Sequence, residues 1–142
     1  MLYANERYGL SLYVSGLAVE ALLRAFQWHR DPAFDGRHNL LRLFKASGVG
    51  EAQEARLLRR GLNPNDVRKA MVELLSSRDN IIRLWSNDYR YATEAQIRAR
   101  LRALGEQHSK RGNQIKPVAL TVYNSAKTLI DVGTMLWTSE KK

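Results

Sequence analysis

The chain has 142 residues, of which 44% are hydrophobic, and its formal net charge at neutral pH is +9. This size and apolar content suit one domain, so we expect a single domain over residues 1–142. The chain lacks cysteine, which excludes disulfides and thiolate metal sites, and three histidines alone cannot build a common zinc site. We expect no metal and no cofactor. The sequence start lacks the pattern of a secretory signal, and no unbroken apolar stretch approaches roughly 18 residues, so we expect a cytoplasmic protein.

The first predicted element is a long amphipathic helix over about residues 5–29. One face has a four-three spacing, which is typical of a buried helix stripe: Tyr8, Leu12, Ser15, Val19, Leu22 and Phe26. A second apolar row lies beside it and predicts contact with a second neighbouring helix: Leu10, Val14, Leu17 and Ala21. The small residues near Gly16 favour the close approach of another backbone.

Shorter helices are predicted between a turn at residues 31–36 and the last helix. A short helix begins near Leu40 and ends at Gly48, and a basic stretch over residues 51–60 ends at Gly61. Asn63 and Pro64 have the pattern of a helix N-terminus, and that helix runs to about Trp85, with a candidate interruption at residues 76–80. A further helix is predicted to begin at Thr93 and to stop near Gly105.

The positive charge is concentrated in this middle part of the chain. Residues 56–116 contain fourteen basic and six acidic residues, which leaves +8, whereas residues 1–55 are balanced. Such a field attracts polyanions such as RNA or DNA, or an acidic protein partner, and the attraction weakens as salt rises. The alternative is that these arginines only form solvated helix faces.

The last predicted helix begins at Pro117 and has the same four-three spacing as the first, in Val118, Val122, Ser125, Leu129, Val132 and Leu136. No alternation typical of strands and no solenoid repeat is present. The predicted fold class is therefore all-α: an antiparallel up-and-down helical bundle of four to five helices.

Three sequence elements resemble the HEPN family (higher eukaryotes and prokaryotes nucleotide-binding domain). The segment from Ser11 to Phe26 is similar to the family's opening helix, with an aromatic residue, a small residue and glycine, and then a glutamate with a basic residue four positions later. Arg37-His38-Asn39-Leu40 resembles the family's Thr-His-Asp-Leu element. Trp85, followed by Arg90-Tyr91, resembles its Trp and Arg-Tyr element. The resemblance covers roughly residues 8–138.

The resemblance implies a small helical bundle, often dimeric, in one of two functional branches. Our leading hypothesis is the non-catalytic branch: a homodimer that binds a nucleotide, a nucleic acid or a nucleotidyltransferase-like partner, within a toxin-antitoxin or defence module. A structural interaction protein whose basic face meets an acidic partner is a further alternative.

The resemblance also suggests a polar site at which Glu20, Arg24, His38 and Arg90 converge across the bundle. In this hypothesis Arg24 and Arg90 receive a phosphate, and Trp85 or Tyr91 stacks on a base. Two simpler interpretations stay open. Glu20 and Arg24 are four residues apart and can form an ordinary intrahelical ion pair, and His38 can cap the short second helix.

The second functional branch is a metal-independent ribonuclease, whose motif is an arginine, four to six residues and then a histidine. Arg102 and His108 fit this spacing just before the last helix, and they are the candidate catalytic pair. A histidine can move the proton of a ribose 2′-hydroxyl while an arginine stabilises the phosphorane charge. Arg24 and His29 also fit the spacing, but they lie on the first helix, where the family has no such motif.

Overall fold

The computed structural model of the chain describes residues 8–33, 38–105 and 115–140. These residues form six α-helices and one short 3₁₀ helix and contain no strand, so the prediction of an all-α helical bundle is confirmed. The elements are α1 (Tyr8–Arg30), α2 (Leu40–Ser47), α3 (Val49–Arg59), α4 (Pro64–Leu84), the 3₁₀ helix (Asn87–Arg90), α5 (Glu94–Ala103) and α6 (Ile115–Glu140).

Local sequence signals explain the helix boundaries. Gly48 has a φ of 71°, in the left-handed region that glycine adopts without steric penalty, and it separates α2 from α3. This turn adds one helix to the predicted four to five. The Asn63 side chain accepts a hydrogen bond from the Asp66 amide at the start of α4, as predicted. Helix α4 then continues through residues 76–80, so the candidate interruption there is absent.

Helices α1 and α6 form the largest contact of the bundle and run parallel. The Tyr8 ring lies 5.9 Å from the Lys116 ammonium, and the Phe26 and Trp137 rings lie 5.2 Å apart. The start of α1 therefore meets the start of α6, and the two ends also meet. The bundle is not antiparallel throughout, which corrects the predicted up-and-down order.

The order differs because α2 begins beside the middle of α1 rather than beyond its end. His38 contacts Glu20 in the middle of α1, whereas Ala46, near the end of α2, accepts a hydrogen bond from Arg30 at the end of α1. Helix α2 thus runs in the same direction as α1. This placement brings the segment before α2 against the centre of α1, where the candidate site lies.

The second apolar row of α1 is exposed, contrary to the prediction that it packs against another helix. Leu10, Val14 and Leu17 are 47%, 43% and 38% exposed, and Ala21 is exposed as well. Among the described residues, the main neighbours of α1 are α6, α2 and the 3₁₀ helix, and they leave this row partly uncovered. By length and mean hydropathy, 1.3 over 18 residues, α1 could also span a membrane, and 44% of that window is buried inside the bundle.

Trp85 packs across Gly16 in the middle of α1. Its indole N–H donates a hydrogen bond of 3.0 Å to the carbonyl oxygen of Tyr13, and its ring is nearly fully buried. A Cβ atom added to Gly16 would overlap the indole ring. The small residue was predicted to admit another backbone, and this is wrong: the close neighbour is the Trp85 side chain.

We predict that Gly16→Ala lowers the free energy of unfolding by about 1–3 kcal/mol, although alanine is the better helix former, because the buried and hydrogen-bonded indole cannot move away. Urea denaturation followed by circular dichroism measures the change. Gly133→Ala is the matched control: its added Cβ meets only the flexible side chain of Leu22, so it should destabilise less. Equal losses for both variants would contradict the proposed role of Gly16.

Candidate functional site

Glu20, Arg24 and His38 meet at one carboxylate oxygen. Glu20 Oε1 accepts a hydrogen bond of 3.0 Å from Arg24 Nε, and it lies 2.9 Å from His38 Nδ1. Glu20 is only 3% exposed, whereas the side chains of Arg24 and His38 are 36% and 54% exposed. A buried acceptor thus holds two groups that reach the surface. The structure therefore contains both the predicted ion pair of Glu20 with Arg24 and the predicted approach of His38 to the same glutamate.

The position of His38 depends on its neighbour Asn39. The Asn39 side chain caps α2 by accepting a hydrogen bond of 3.0 Å from the Arg42 amide. The alternative in which His38 caps this helix is therefore wrong, because Asn39 fills that role. The His38 side chain contacts Glu20 instead.

The second carboxylate oxygen of Glu20 is buried and has no hydrogen-bond partner among the described residues. Burying a carboxylate is unfavourable unless its oxygens are paired, and an apolar residue of similar volume would fill the same space. The stability of the fold alone therefore does not explain a glutamate here. Its position behind a surface histidine points to a role in orienting that side chain.

A groove of about 400 Å³, which we call the His38 groove, lies beside this cluster, between the start of α2 and the 3₁₀ helix. It is lined by His38, Asn39, Leu40, Leu41, Ile82, Trp85, Ser86, Asn87 and Asp88. Trp85 forms part of its wall, but the ring is buried against Gly16 and its N–H is bonded to α1. Of the two residues predicted to stack on a base, Trp85 is therefore enclosed by the protein.

Arg90 and Tyr91 lie at the other side of the 3₁₀ helix. The Arg90 guanidinium sits 5.1 Å from the centre of the Tyr91 ring, and Tyr91 is 81% exposed. Three of the four residues predicted to converge do so: Glu20, Arg24 and His38. The prediction is wrong for Arg90, which packs on the Tyr91 ring instead. Tyr91 offers the open ring face that stacking on a base requires.

A second arginine–tyrosine pair, which the sequence analysis missed, lies next to the first. The Arg100 guanidinium of α5 sits 5.6 Å from the centre of the Tyr89 ring, and the Tyr89 hydroxyl donates a hydrogen bond of 2.9 Å to the Leu84 carbonyl. Burial raises the pKa of the Tyr89 phenol, an effect that the nearby Arg100 charge partly opposes. The Tyr89 phenol therefore stays neutral at physiological pH and donates its hydrogen bond. Its ring is a fixed surface on which the Arg100 guanidinium packs.

Tyr89, Tyr91 and Arg100 border a groove of about 390 Å³, which we call the Tyr91 groove, whereas Arg90 lines a neighbouring cavity beside α1. The Tyr91 groove is lined by Asp88, Tyr89, Tyr91, Ala92, Gln96 and Arg100. Asp88 lines this groove as well as the His38 groove, so the two grooves adjoin across the 3₁₀ helix. The alternation Tyr89-Arg90-Tyr91 was the available sequence signal, but only the fold shows that Arg100 joins it.

Of the candidate ribonuclease pair, Arg102 is exposed on α5, and His108 lies outside the described residues. Within residues 8–33, 38–105 and 115–140, no group of three or more histidine, aspartate or glutamate side chains could hold a metal ion.

Comparison with known proteins adds no assignment. No protein-family model matches the chain, and neither a curated protein nor a solved structure matches it. The resemblance to HEPN domains stays a prediction that is carried by the residues quoted above.

We predict that Glu20→Leu leaves the free energy of unfolding within about 1 kcal/mol of the wild-type value or raises it, because it removes a buried and half-satisfied charge while Arg24 and His38 stay solvated. Thermal and urea unfolding measure this. Leu12→Ala on the same helix is the contrasting core variant and should lose about 2–5 kcal/mol. If Glu20→Leu loses as much as Leu12→Ala, Glu20 is required for the fold rather than for a site.

Proposed function

We propose that this chain is a non-catalytic HEPN-type protein that binds single-stranded nucleic acid. The binding region is the surface formed by Arg90, Tyr91 and Arg100, with the buried Tyr89 ring supporting Arg100, and we call it the Arg–Tyr surface. The observation that carries the proposal is the pairing of two guanidinium groups with two tyrosine rings at the edge of the Tyr91 groove. One of these rings is almost fully exposed.

Tyrosine and arginine, the two residue types of this surface, match the two parts of a single-stranded nucleic acid, its bases and its phosphates. A base stacks on an aromatic ring whatever its sequence, and arginine contacts the phosphates between bases. Arg90 covers one side of Tyr91, which leaves the opposite ring face for a base. The Asp88 carboxylate in the groove repels phosphate and can accept hydrogen bonds from base amino groups, so it favours bases on its side.

The charge distribution supports the same class of ligand. The Arg–Tyr surface lies within the segment of residues 56–116 that carries +8, and Arg102 adds positive charge on the same helix as Arg100, whereas Arg98 is paired with Glu94. Such a field raises the local concentration of a polyanion and its rate of association. The HEPN resemblance points to the same ligands, and the nucleotidyltransferase-like partner and the toxin-antitoxin context remain parts of this proposal.

We predict that Tyr91→Ala weakens binding of a short fluorescein-labelled single-stranded RNA by about tenfold, the loss of one base-stacking interaction. Arg90→Gln should weaken binding, because one phosphate contact is removed. For the same reason, the binding constant of this variant should fall less steeply as the salt concentration rises. Fluorescence anisotropy across a salt series measures both changes.

Two control variants separate a specific surface from general charge. Tyr123→Ala removes a half-exposed tyrosine of α6, and Arg68→Gln removes an exposed arginine of α4 from the same basic part of the chain. Both should retain nearly wild-type affinity. Equal weakening by Arg68→Gln and Arg90→Gln would indicate a diffuse basic field in place of the proposed surface, and wild-type protein that shows no salt-dependent binding would overturn the proposal.

The exposed row of α1 supports the homodimer in this proposal. Leu10, Val14 and Leu17 form a continuous apolar stripe, and the only charged residue of α1 before Arg24 is the buried Glu20. Pairing of the stripes of two copies would therefore bring no charges of α1 itself into the contact, and it would cover apolar surface that the single chain leaves in water.

We predict that Leu17→Lys converts the dimer to a monomer, because pairing would bury two lysines in an apolar contact. Sedimentation equilibrium over a range of protein concentrations measures the change. Val72→Lys, a substitution of an exposed valine on α4, is the control and should leave the dimer intact. A wild-type protein that is monomeric at every concentration would refute the homodimer.

A further inference from the structure

The His38 groove adjoins the proposed binding surface. Asp88 lines the His38 groove and also the Tyr91 groove, and the 3₁₀ helix between them has only four residues. At about 2.0 Å of rise per residue, that helix is about 8 Å long. A strand that stacks a base on Tyr91 can therefore follow the 3₁₀ helix and place a neighbouring nucleotide in the His38 groove.

The hydrogen bond between Glu20 and His38 fixes which ring nitrogen faces that nucleotide. A carboxylate only accepts hydrogen bonds, so His38 Nδ1, 2.9 Å from Glu20 Oε1, must carry a proton. In the neutral imidazole, Nε2 is then an acceptor. Because the side chain is half-exposed and lines the groove, this acceptor is available to a ligand that donates a hydrogen bond.

Among the groups of a nucleotide backbone, the ribose 2′-hydroxyl is a donor that DNA lacks. Phosphate oxygens are acceptors, and a neutral Nε2 cannot donate to them. A site that hydrogen-bonds a hydroxyl discriminates against the analogue without it, since the polar group of the site is left unpaired. The His38 groove also offers the amides of Asn39 and Asn87, which can contact the same sugar or its base.

We propose that His38, held in place by Glu20, accepts a hydrogen bond from a ribose 2′-hydroxyl and makes the protein prefer single-stranded RNA over DNA of the same sequence. This inference rests on the proposed binding of single-stranded nucleic acid. His38 contacts the ligand, and Glu20 is a positioning residue. The buried carboxylate, unfavourable for stability, then has a function: it sets the tautomer and the orientation of the histidine.

The test compares RNA and 2′-deoxy oligonucleotides of one sequence, both with uracil, by fluorescence anisotropy. The wild-type protein should bind the RNA about tenfold more tightly, in line with one net hydrogen bond. His38→Ala should weaken RNA binding more than DNA binding and bring the ratio of the two affinities close to one. The same substitution at His29, which lies at the end of α1 and lines another cavity, should keep the preference and is the matched control.

Two variants of Glu20 test its positioning role. Glu20→Leu cannot accept from Nδ1 and should lose the preference for RNA, whereas Glu20→Gln retains an acceptor oxygen and should keep part of it. Both variants should change the affinity for RNA more than the affinity for DNA. A merely structural role of Glu20 would weaken RNA and DNA binding equally, and that result would overturn its assignment.

The outcomes for this inference and for the proposed function are distinguishable. Equal binding of RNA and DNA that still depends on Tyr91 overturns the role of His38 and leaves the Arg–Tyr surface standing. Parallel weakening of RNA and DNA by His38→Ala likewise overturns the 2′-hydroxyl contact. Absence of binding to both oligonucleotides overturns the proposed function and this inference together.

Discussion

The packing of the Trp85 indole on Gly16 is the contact on which the arrangement of the site depends. It ties the end of α4 to the middle of α1, and the indole N–H bonded to the Tyr13 carbonyl fixes the ring in one orientation. The 3₁₀ helix follows directly, and Tyr89 is bonded back to Leu84. The residues around Asp88 thus have a defined position against α1, although they belong to a short connection between two helices.

The two grooves follow from this contact. Trp85 forms a wall of the His38 groove, and the Tyr91 groove lies on the opposite side of the 3₁₀ helix. The polar groups of the two grooves differ: Arg100 lines the Tyr91 groove, with Arg90 stacked on the Tyr91 ring, and a histidine held by a buried carboxylate lines the other. A ligand that carries phosphates, bases and hydroxyls at regular spacing can satisfy both sides at once, which is why the proposals converge on single-stranded RNA.

The sequence predicted those features that depend on local physical rules. The helix-forming periodicity, the cap at Asn63 and the turn at Gly48 act over a few residues, and the structure has each of them. The four-residue spacing of Glu20 and Arg24 likewise predicted their ion pair. The exposure of Leu10, Val14 and Leu17 was not predictable in this way, because an apolar row looks the same whether a neighbouring helix or a second molecule covers it. The parallel course of α1 and α6 and the contact of Arg100 with Tyr89 depend on how distant segments pack, and periodicity contains no information about that.

The central claim is that a single strand of RNA lies along the 3₁₀ helix and the start of α5. Amide chemical-shift mapping by heteronuclear NMR, with a short unstructured RNA titrated into the labelled protein, tests it most directly. The largest shifts should fall on Asp88, Arg90, Tyr91 and Arg100, with further shifts at His38 and Asn39, and they should diminish as salt rises. Shifts confined to the hairpin of α3 and α4, or none at all, would contradict it.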